Sequence, residues 1–325
     1  MKIFDPIYGE YDLEPVLTEL IHTKPVQRLK KIHQAGGCYL INGKWDVTRY
    51  DHSVGVMLLI RYLNGSILEQ IAGLLHDISH TAFSHVVDYV LDNDEEDYHE
   101  KIVDKIVFSS EIPSILKKYD IDINLILDHS CWGILEQDLP LPCADRIDYT
   151  LRDMYYYQGE NLEDIQKFLN NLHVINNKIV IKNIESAEWF TKLYYKEVID
   201  FFLHPLNVFS NRHLTKILTL ALEKEIIHLD DFLTDDFTVM EKLTSSRDKQ
   251  IINLISKFDL NHNHIIESKE DYEYSSKIKM REIDPLVNNQ KKVECASSIS
   301  PQIKQFTIEA YHKCEKGTYV KAVGI

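Results

Sequence analysis

Apolar residues recur along most of this chain at three- and four-residue spacing, the pattern of helices that bury one face. Leu17, Leu20 and Ile21, followed after Pro25 by Val26, Leu29 and Ile32, predict two consecutive helices within residues 13–35, stopped by Gly36-Gly37. Val54, Met57, Leu58 and Tyr62 resume the spacing after a loop at 43–51. Ser66, with Glu69 three residues on, predicts a capping box ahead of a buried stripe of Ile67, Ile71, Leu74, Leu75 and Ile78. Further helices are expected near 83–91, 98–108, 112–118, 122–128, 143–157 and 186–223, with the acidic run Asp92–Asp97 as a solvated loop. The segment His173–Asn183 differs: Val174-Ile175 and Ile179-Val180-Ile181 flank Asn176-Asn177, which predicts a hairpin. Beyond about residue 238 the pattern is more basic and more broken, with Phe306-Thr307-Ile308 and Thr318-Tyr319-Val320 read as short closing strands. The expected fold is mainly α: a helical core over 1–237 with a small β-hairpin near 173–183, and a minor mixed α/β C-terminal subdomain over 238–325 packed on it.

Composition narrows the function. Among 325 residues, 36 Lys and Arg face 51 Asp and Glu, a formal charge of −15 that argues against a protein coating extended nucleic acid. A small anionic ligand needs only a few local cations and stays open. The N-terminus lacks the apolar core of a signal peptide, and no stretch approaches the roughly 18 apolar residues of a membrane span. Cys38, Cys131, Cys143, Cys295 and Cys314 are odd in number, widely spread and without a CxxC pair, so a disulfide framework is not expected and a reducing cytoplasm is. Histidine stands out: of 15, His52, His76, His80, His85 and His99 fall within 48 positions.

His76-Asp77 lies in an otherwise apolar helical stripe. An isolated His-Asp pair is most often satisfied by hydrogen bonds at a helix end. The context changes the balance. His52 stands in Arg49-Tyr50-Asp51-His52-Ser53 and Asp145 in Asp145-Arg146-Ile147-Asp148-Tyr149, each at a helix start. Two histidines and two carboxylates from three helices suit a divalent Mn, Fe, Zn or Mg ion. His80, four residues after His76, also makes an HxxxH pattern like that of zinc proteases. There the residue after the first histidine is Glu. Asp77 is one methylene shorter and better placed as a ligand than as a base, which disfavours a protease.

The ordered set His52, His76-Asp77, Asp145 resembles the signature of the HD-domain phosphohydrolase superfamily. Longer runs resemble its deoxynucleoside triphosphate triphosphohydrolase (dNTPase) branch, and in particular the HD catalytic core found beside a sterile-alpha-motif domain. These runs are Phe4–Gly9, Gln27–Leu29, Arg49–Val56, Leu75–His85 and Asp145–Asp153, with a weaker likeness at Ile283–Val287 and Ser300–Lys304. The resemblance implies an HD-domain helical core in which His52, His76, Asp77 and Asp145 hold the metal. It implies that Arg49 and Tyr149 meet phosphate, that Gln34 and Asp153 meet the sugar, Asp153 at its 3′-hydroxyl, and that Arg146, in place of that core's lysine, keeps a positive charge in the substrate site. His80, His85 and His99 would lie near the α-phosphate, with Glu100 orienting one of them. In the reading adopted here His85 protonates the leaving oxygen, while His80 with Glu100 binds or polarises the phosphate.

The activity so implied is hydrolysis of a dNTP to deoxynucleoside and triphosphate. Two alternatives stay open: hydrolysis of a monophosphate, cyclic or signalling nucleotide, and a non-catalytic nucleotide sensor. The resemblance also implies homo-oligomers, although no interface is legible in the sequence. No basic segment precedes Phe4, and no arginine-rich helix matches the region of Leu203–Leu206, so dependence on an activating nucleotide is not expected. Tyr155-Tyr156-Tyr157 reads as packing surface, His204-Pro205 as a helix junction, and His262 and His264 as solvated loop residues.

Overall fold

A computed structural model describes residues 1–260, 262–289 and 292–323. A short hairpin, β1 (Lys2–Asp5) and β2 (Gly9–Asp12), leads into α1 (Pro15–Ile21) and α2 (Lys24–Arg28). Then come α3 (Arg49–Tyr62), α4 (Ile67–Leu75), α5 (Val86–Val90), α6 (Tyr98–Phe108), α7 (Ile112–Lys118), α8 (Ile123–Leu127), α9 (Ala144–Gln158) and α10 (Leu162–Leu169). The strands β3 (Leu172–Ile175) and β4 (Lys178–Ile181) precede α11 (Ile184–Lys196), a π-helical turn at Glu197–Phe201, and α12 (Pro205–Glu223). The remainder holds α13 (Asp236–Ser245), α14 (Lys249–Ile255), β5 (Ile265–Glu267), β6 (Tyr274–Ser276), β7 (Leu286–Asn289), β8 (Lys292–Cys295), α15 (Pro301–Lys316) and β9 (Thr318–Ala322).

The helix starts follow local chemistry. Asn161, Asn183, Asp235, Asp248 and Ser300 each accept a backbone N–H of the helix they precede. The β3–β4 hairpin turns on Asn176 and Asn177, both at positive φ as a two-residue turn of this hand requires. Its sheet is then extended from far along the chain: β4 pairs parallel to β7, which pairs antiparallel to β8. A second sheet has the order β5-β9-β6, both neighbours antiparallel to β9. One continuous apolar core runs from Ile7 to Val320. Helix α3 lies at its centre, buried at every position from His52 to Ile60, with α4 and α9 packed against it.

Several expectations need correction. The N-terminal hairpin was not foreseen. The helix ahead of Gly36 ends earlier, as a 3₁₀ turn at Leu29–Lys31; Ile32 is extended, and Gly36–Leu40 is itself a 3₁₀ turn. Ser66 does cap α4 through Glu69 N, but the Glu69 carboxylate accepts from Ile134 N and Leu135 N (2.7 and 3.2 Å), so the box is half formed. The helix expected from Phe83 starts at Val86, because Phe83 and Ser84 adopt positive φ. Phe306-Thr307-Ile308 belong to α15, not to a strand; Ser300 and Pro301 organise a helix that overrides their β preference. No helix among the described residues is long and apolar enough to cross a membrane.

Candidate metal and phosphate site

Three helix ends and one turn bring the candidate residues together. Thr48 and Asp51 form a capping box at the start of α3, placing Arg49 in its first turn and His52 just behind it. Asp145 lies in the first turn of α9. Helix α4 ends at Leu75, so His76 caps it and Asp77 and His80 follow in the turn beyond. His80 is therefore not one helical turn from His76 on a shared face, which removes the geometry of the HxxxH reading.

His76 Nδ1 is bound to the Gly73 carbonyl at 2.8 Å, leaving Nε2 for other work. That Nε2 is buried and makes no hydrogen bond among the described residues, 3.4 Å from Asp77 Oδ1 and 3.6 Å from Asp145 Oδ1. His52 Nε2 lies 3.0 Å from the same Asp145 oxygen and 3.7 Å from Asp77 Oδ2. Donor atoms of His52, His76 and Asp145 all fall within 4.8 Å of one another. A buried, unpartnered imidazole nitrogen facing two carboxylates fits a divalent cation, because burial without a partner is costly for each of these groups.

Arg49 Nη1 holds Asp77 Oδ2 at 2.6 Å, and its Nε donates to Ser84 Oγ at 3.0 Å. Ser84 in turn donates to the His33 carbonyl at 2.7 Å, and Asp236 fixes the Phe83 N–H at 2.6 Å. These bonds hold the two left-handed residues in place, a conformation that costs energy outside glycine. The Asp77 carboxyl lies well below the usual range: burial opposes this, but His76, Arg49 and His80 outweigh it.

A chain of buried charges stands behind His52. Its Nδ1 meets Asp148 Oδ2 at 2.8 Å, Arg152 binds Asp148 at 3.0 and 2.9 Å, and Arg152 Nη2 reaches Asp5 Oδ2 at 3.0 Å. Asp5 also accepts from Ile7 N and Tyr8 N, so the N-terminal hairpin is tied to the ring orientation of His52. Sequence reasoning passed over Asp148 and Arg152 as site residues. Their spacing from Asp145, three and seven along one helix, was the available signal.

Next to Asp77 sit His80, His85 and His99, with donor atoms again within 4.8 Å. His80 Nε2 is 3.2 Å from Asp77 Oδ1, and the His80 and His99 rings stack at 4.0 Å. Burial, then the neighbouring His85, lowers His99 to about 4, and burial with Arg49 holds His80 well below its ordinary value. Both are neutral near pH 7. His85 is more exposed, and its Nδ1 is held 3.1 Å from buried Asp88. Asp88, unforeseen from the sequence, is thus the carboxylate that orients a histidine here. Glu100 is exposed on the first turn of α6, with no side-chain hydrogen bond to the cluster.

The remaining candidates surround this centre. Gln34 lies on the extended segment that runs antiparallel to Val47-Thr48, with a buried, unpartnered Oε1. The Tyr149 ring is 6.4 Å from that of His52, and burial raises its phenol well above its ordinary value, so it is a neutral donor. Asp153 is buried with Oδ1 unpartnered. Arg146 is engaged elsewhere, bound to Glu136 at 2.8 Å and to the carbonyl of Gln137 at 2.6 Å. Arg281, from the C-terminal region, was missed by sequence reasoning. It pairs with Glu96 at 3.1 Å, and although burial opposes its charge, the acidic surroundings, with Glu96 and Asp145 among them, hold its proton more tightly. Tyr157 accepts from Val47 N and packs on Phe201, and His204 caps α12, as read from the sequence. His262 is tied to the Ile41 carbonyl at 2.7 Å rather than freely solvated.

Comparison with known proteins agrees with this geometry. The HD domain family model matches residues 49–153. The chain is 48% identical over 322 residues to the uncharacterised protein YdhJ of Bacillus subtilis, covering 99% of both. It is 35% identical over 214 residues to metal-dependent phosphohydrolase cns2 of Cordyceps militaris, covering 63% of this chain and 62% of that one. Against the deoxynucleoside triphosphate triphosphohydrolase SAMHD1 of Mus musculus it is 27% identical over 287 residues, 79% of this chain and 40% of that protein. A phosphohydrolase structure from Bacteroides thetaiotaomicron superposes with a TM-score of 0.75 at 19% identity over 99% of each chain, a likeness of fold.

Proposed function

From the premise that this chain belongs to the HD-domain phosphohydrolase superfamily, whose members are metal-dependent, we propose that it hydrolyses a dNTP to deoxynucleoside and triphosphate. The observation that carries this reading is the unpartnered His76 Nε2 between Asp77 and Asp145, set beside Arg49 and three histidines. His52, His76, Asp77 and Asp145 would hold the divalent ion, whichever of Mn, Fe, Mg or Zn it is. When bound, that ion would polarise a phosphoryl oxygen and lower the pKa of water.

The chain's own residues do the rest. Arg49, fixed on Asp77, presents a guanidinium to α-phosphate charge that grows as water attacks. His85, its ring held by Asp88, delivers a proton to the leaving 5′-oxygen. His80 and His99, neutral and buried, act as hydrogen-bond partners to phosphate. Gln34 and Asp153 hold the sugar, and Tyr149 donates to phosphate. Arg281 and Arg146 supply positive charge for the triphosphate tail, Arg146 after leaving Glu136. The substrate is a small cytoplasmic nucleotide; relatives named as dNTP triphosphohydrolases support that choice.

The direct test is separate incubation of metal-loaded protein with dNTPs, NTPs and dNMPs, with products resolved by chromatography. Deoxynucleoside and inorganic triphosphate are expected from dNTPs. Intact dNTPs beside a cleaved monophosphate would overturn the substrate assignment, and binding without turnover under all four metals would make the protein a sensor.

Metal binding is also expected to release a proton. Burial opposes a charge on His52, but Asp145 and Asp148, one on each ring nitrogen, push its pKa up to about 10 in the metal-free protein. A ligating imidazole is neutral, so Nε2 must give up that proton. Affinity should fall about tenfold for each unit of pH decrease below that value, and more steeply once His76, raised by Asp77 and Asp145 despite its burial, also holds a proton. Calorimetry in buffers of different ionisation enthalpy checks this; a buffer-independent heat would contradict it.

A further inference from the structure

Beside Tyr149, whose ring lies 6.4 Å from that of Tyr194, the π-helical turn at Glu197–Phe201 packs on α9 and brings together buried oxygens short of donors. Thr150 Oγ1, Asp153 Oδ1, the Tyr194 hydroxyl and both Glu197 oxygens have no hydrogen-bond partner among the described residues. Glu197 is fully buried at the first position of the π-helical turn that follows α11, and Asp153 is 2% exposed. The cation nearest along the helix, Arg152, is already committed to Asp148 and Asp5. Two carboxylates cannot bond each other, because both only accept. With one proton between them they can, and one negative charge is removed from an apolar surrounding.

We infer that Asp153 and Glu197 share a single proton, and that Glu197 is a positioning residue that presents the ionised oxygen of Asp153 to a hydroxyl of the substrate sugar. This rests on the nucleotide reading above. The sharing places the proton on one carboxyl, which donates to its neighbour, and leaves acceptor capacity pointing at a ligand donor. Thr150 and Tyr194 add hydroxyls that reorient to suit. A sugar hydroxyl satisfies such a pocket, whereas an apolar group would leave its acceptors unmet.

Both groups titrate abnormally high: burial raises Asp153 to about 7 against the opposing effect of a hydrogen bond with Glu197, and burial and then the Asp153 charge raise Glu197. The other charges facing the pair are His52, Asp145, Asp148 and Arg152. Arg152 stays paired with Asp148, and His52, paired with Asp145 and Asp148 in the metal-free protein, would be a neutral ligand throughout in the metal-loaded protein whose KM is followed. Tyr149 and Tyr157 are raised by burial and stay neutral there. Rising pH therefore acts on the pair itself, removing the shared proton and setting two charges against each other.

The test joins infrared spectroscopy of metal-free protein to kinetics of the metal-loaded protein. The C=O stretch of a protonated carboxyl is expected in the wild type and absent from E197Q. With dNTP the wild-type KM should rise as pH is raised through the loss of the shared proton, while E197Q, whose amide still donates to Asp153 and cannot ionise, keeps a flat KM. E197A should lose about tenfold of the preference in kcat/KM for a dNTP over its 2′,3′-dideoxy analogue, with E197Q retaining most of it. An unchanged infrared band in E197Q, as would follow if the protonated carboxyl lay elsewhere, overturns the shared proton, and so does its absence from the wild type, as would follow if both carboxylates held a cation. Identical KM profiles for wild type and E197Q overturn the positioning role. If the wild type cleaves no nucleotide, the substrate reading fails, and with it the sugar contact, while the infrared band still decides the proton.

Discussion

Asp77→Ala is expected to abolish stable metal binding and lower kcat by about 10³-fold or more. Asp77 is the point where the site's parts meet. Its Oδ1 faces His76 and His80, and its Oδ2 faces Arg49 and His52. Removing it takes away a ligand and also frees the Arg49 guanidinium, so the phosphate-binding charge is lost from its place. The unpaired buried guanidinium would by itself cost about 3–5 kcal/mol. Asp77→Asn separates the two effects, since the amide keeps the volume and an oxygen acceptor for Arg49 but not the ligand charge. Metal content by atomic emission after dialysis, alongside chromatographic turnover, reads the result. A variant that keeps its metal and its rate would remove Asp77 from the ligand set.

The way these residues converge explains what sequence could and could not disclose. Helices α3, α4, α6, α7 and α9 were legible because each carries an apolar stripe with a polar cap or turn at its end. The hairpin was legible because two asparagines tolerate the left-handed turn. The candidate ligands were legible as an ordered set in a run of matching residues. Their orientation was not. Asp148 and Arg152 share a charge-rich helix with Asp145, where spacing suggests a common face but not which groups are buried, and Asp88 sits in the short, otherwise uncharged α5 with nothing to single it out. Asp5 and Arg152 are far apart in the chain yet bonded at 3.0 Å. Glu197 becomes a site residue through a π-helical turn, an irregularity that helical spacing does not report. Phe83 and Ser84 show the same limit: their backbone is set by Asp236 and His33, acting from across the fold.

Gly55→Ala is expected to destabilise the protein by roughly 3–5 kcal/mol and to weaken metal binding with it. Gly55 faces α9 from the middle of α3, one turn after His52. A Cβ there would fall inside contact distance of Arg152 Nη2 and Asp148 Oδ1, the two groups that form the ion pair behind His52. Neither can yield cheaply, because both are fully buried and Arg152 is also held by Asp5. The pair must separate, leaving buried charges unmatched, and overpacking adds to that cost. His52 Nδ1 then loses Asp148 and the ring loses its fixed orientation, so affinity for the ion should fall as well. Gly43→Ala, where an added Cβ meets nothing within 4 Å, is the matched control and should be near neutral. Urea denaturation of both variants, with metal affinity measured on each, decides the matter. A Gly55→Ala protein that unfolds at the wild-type midpoint would show that the Asp5–Arg152–Asp148 chain is dispensable for holding α3 against α9.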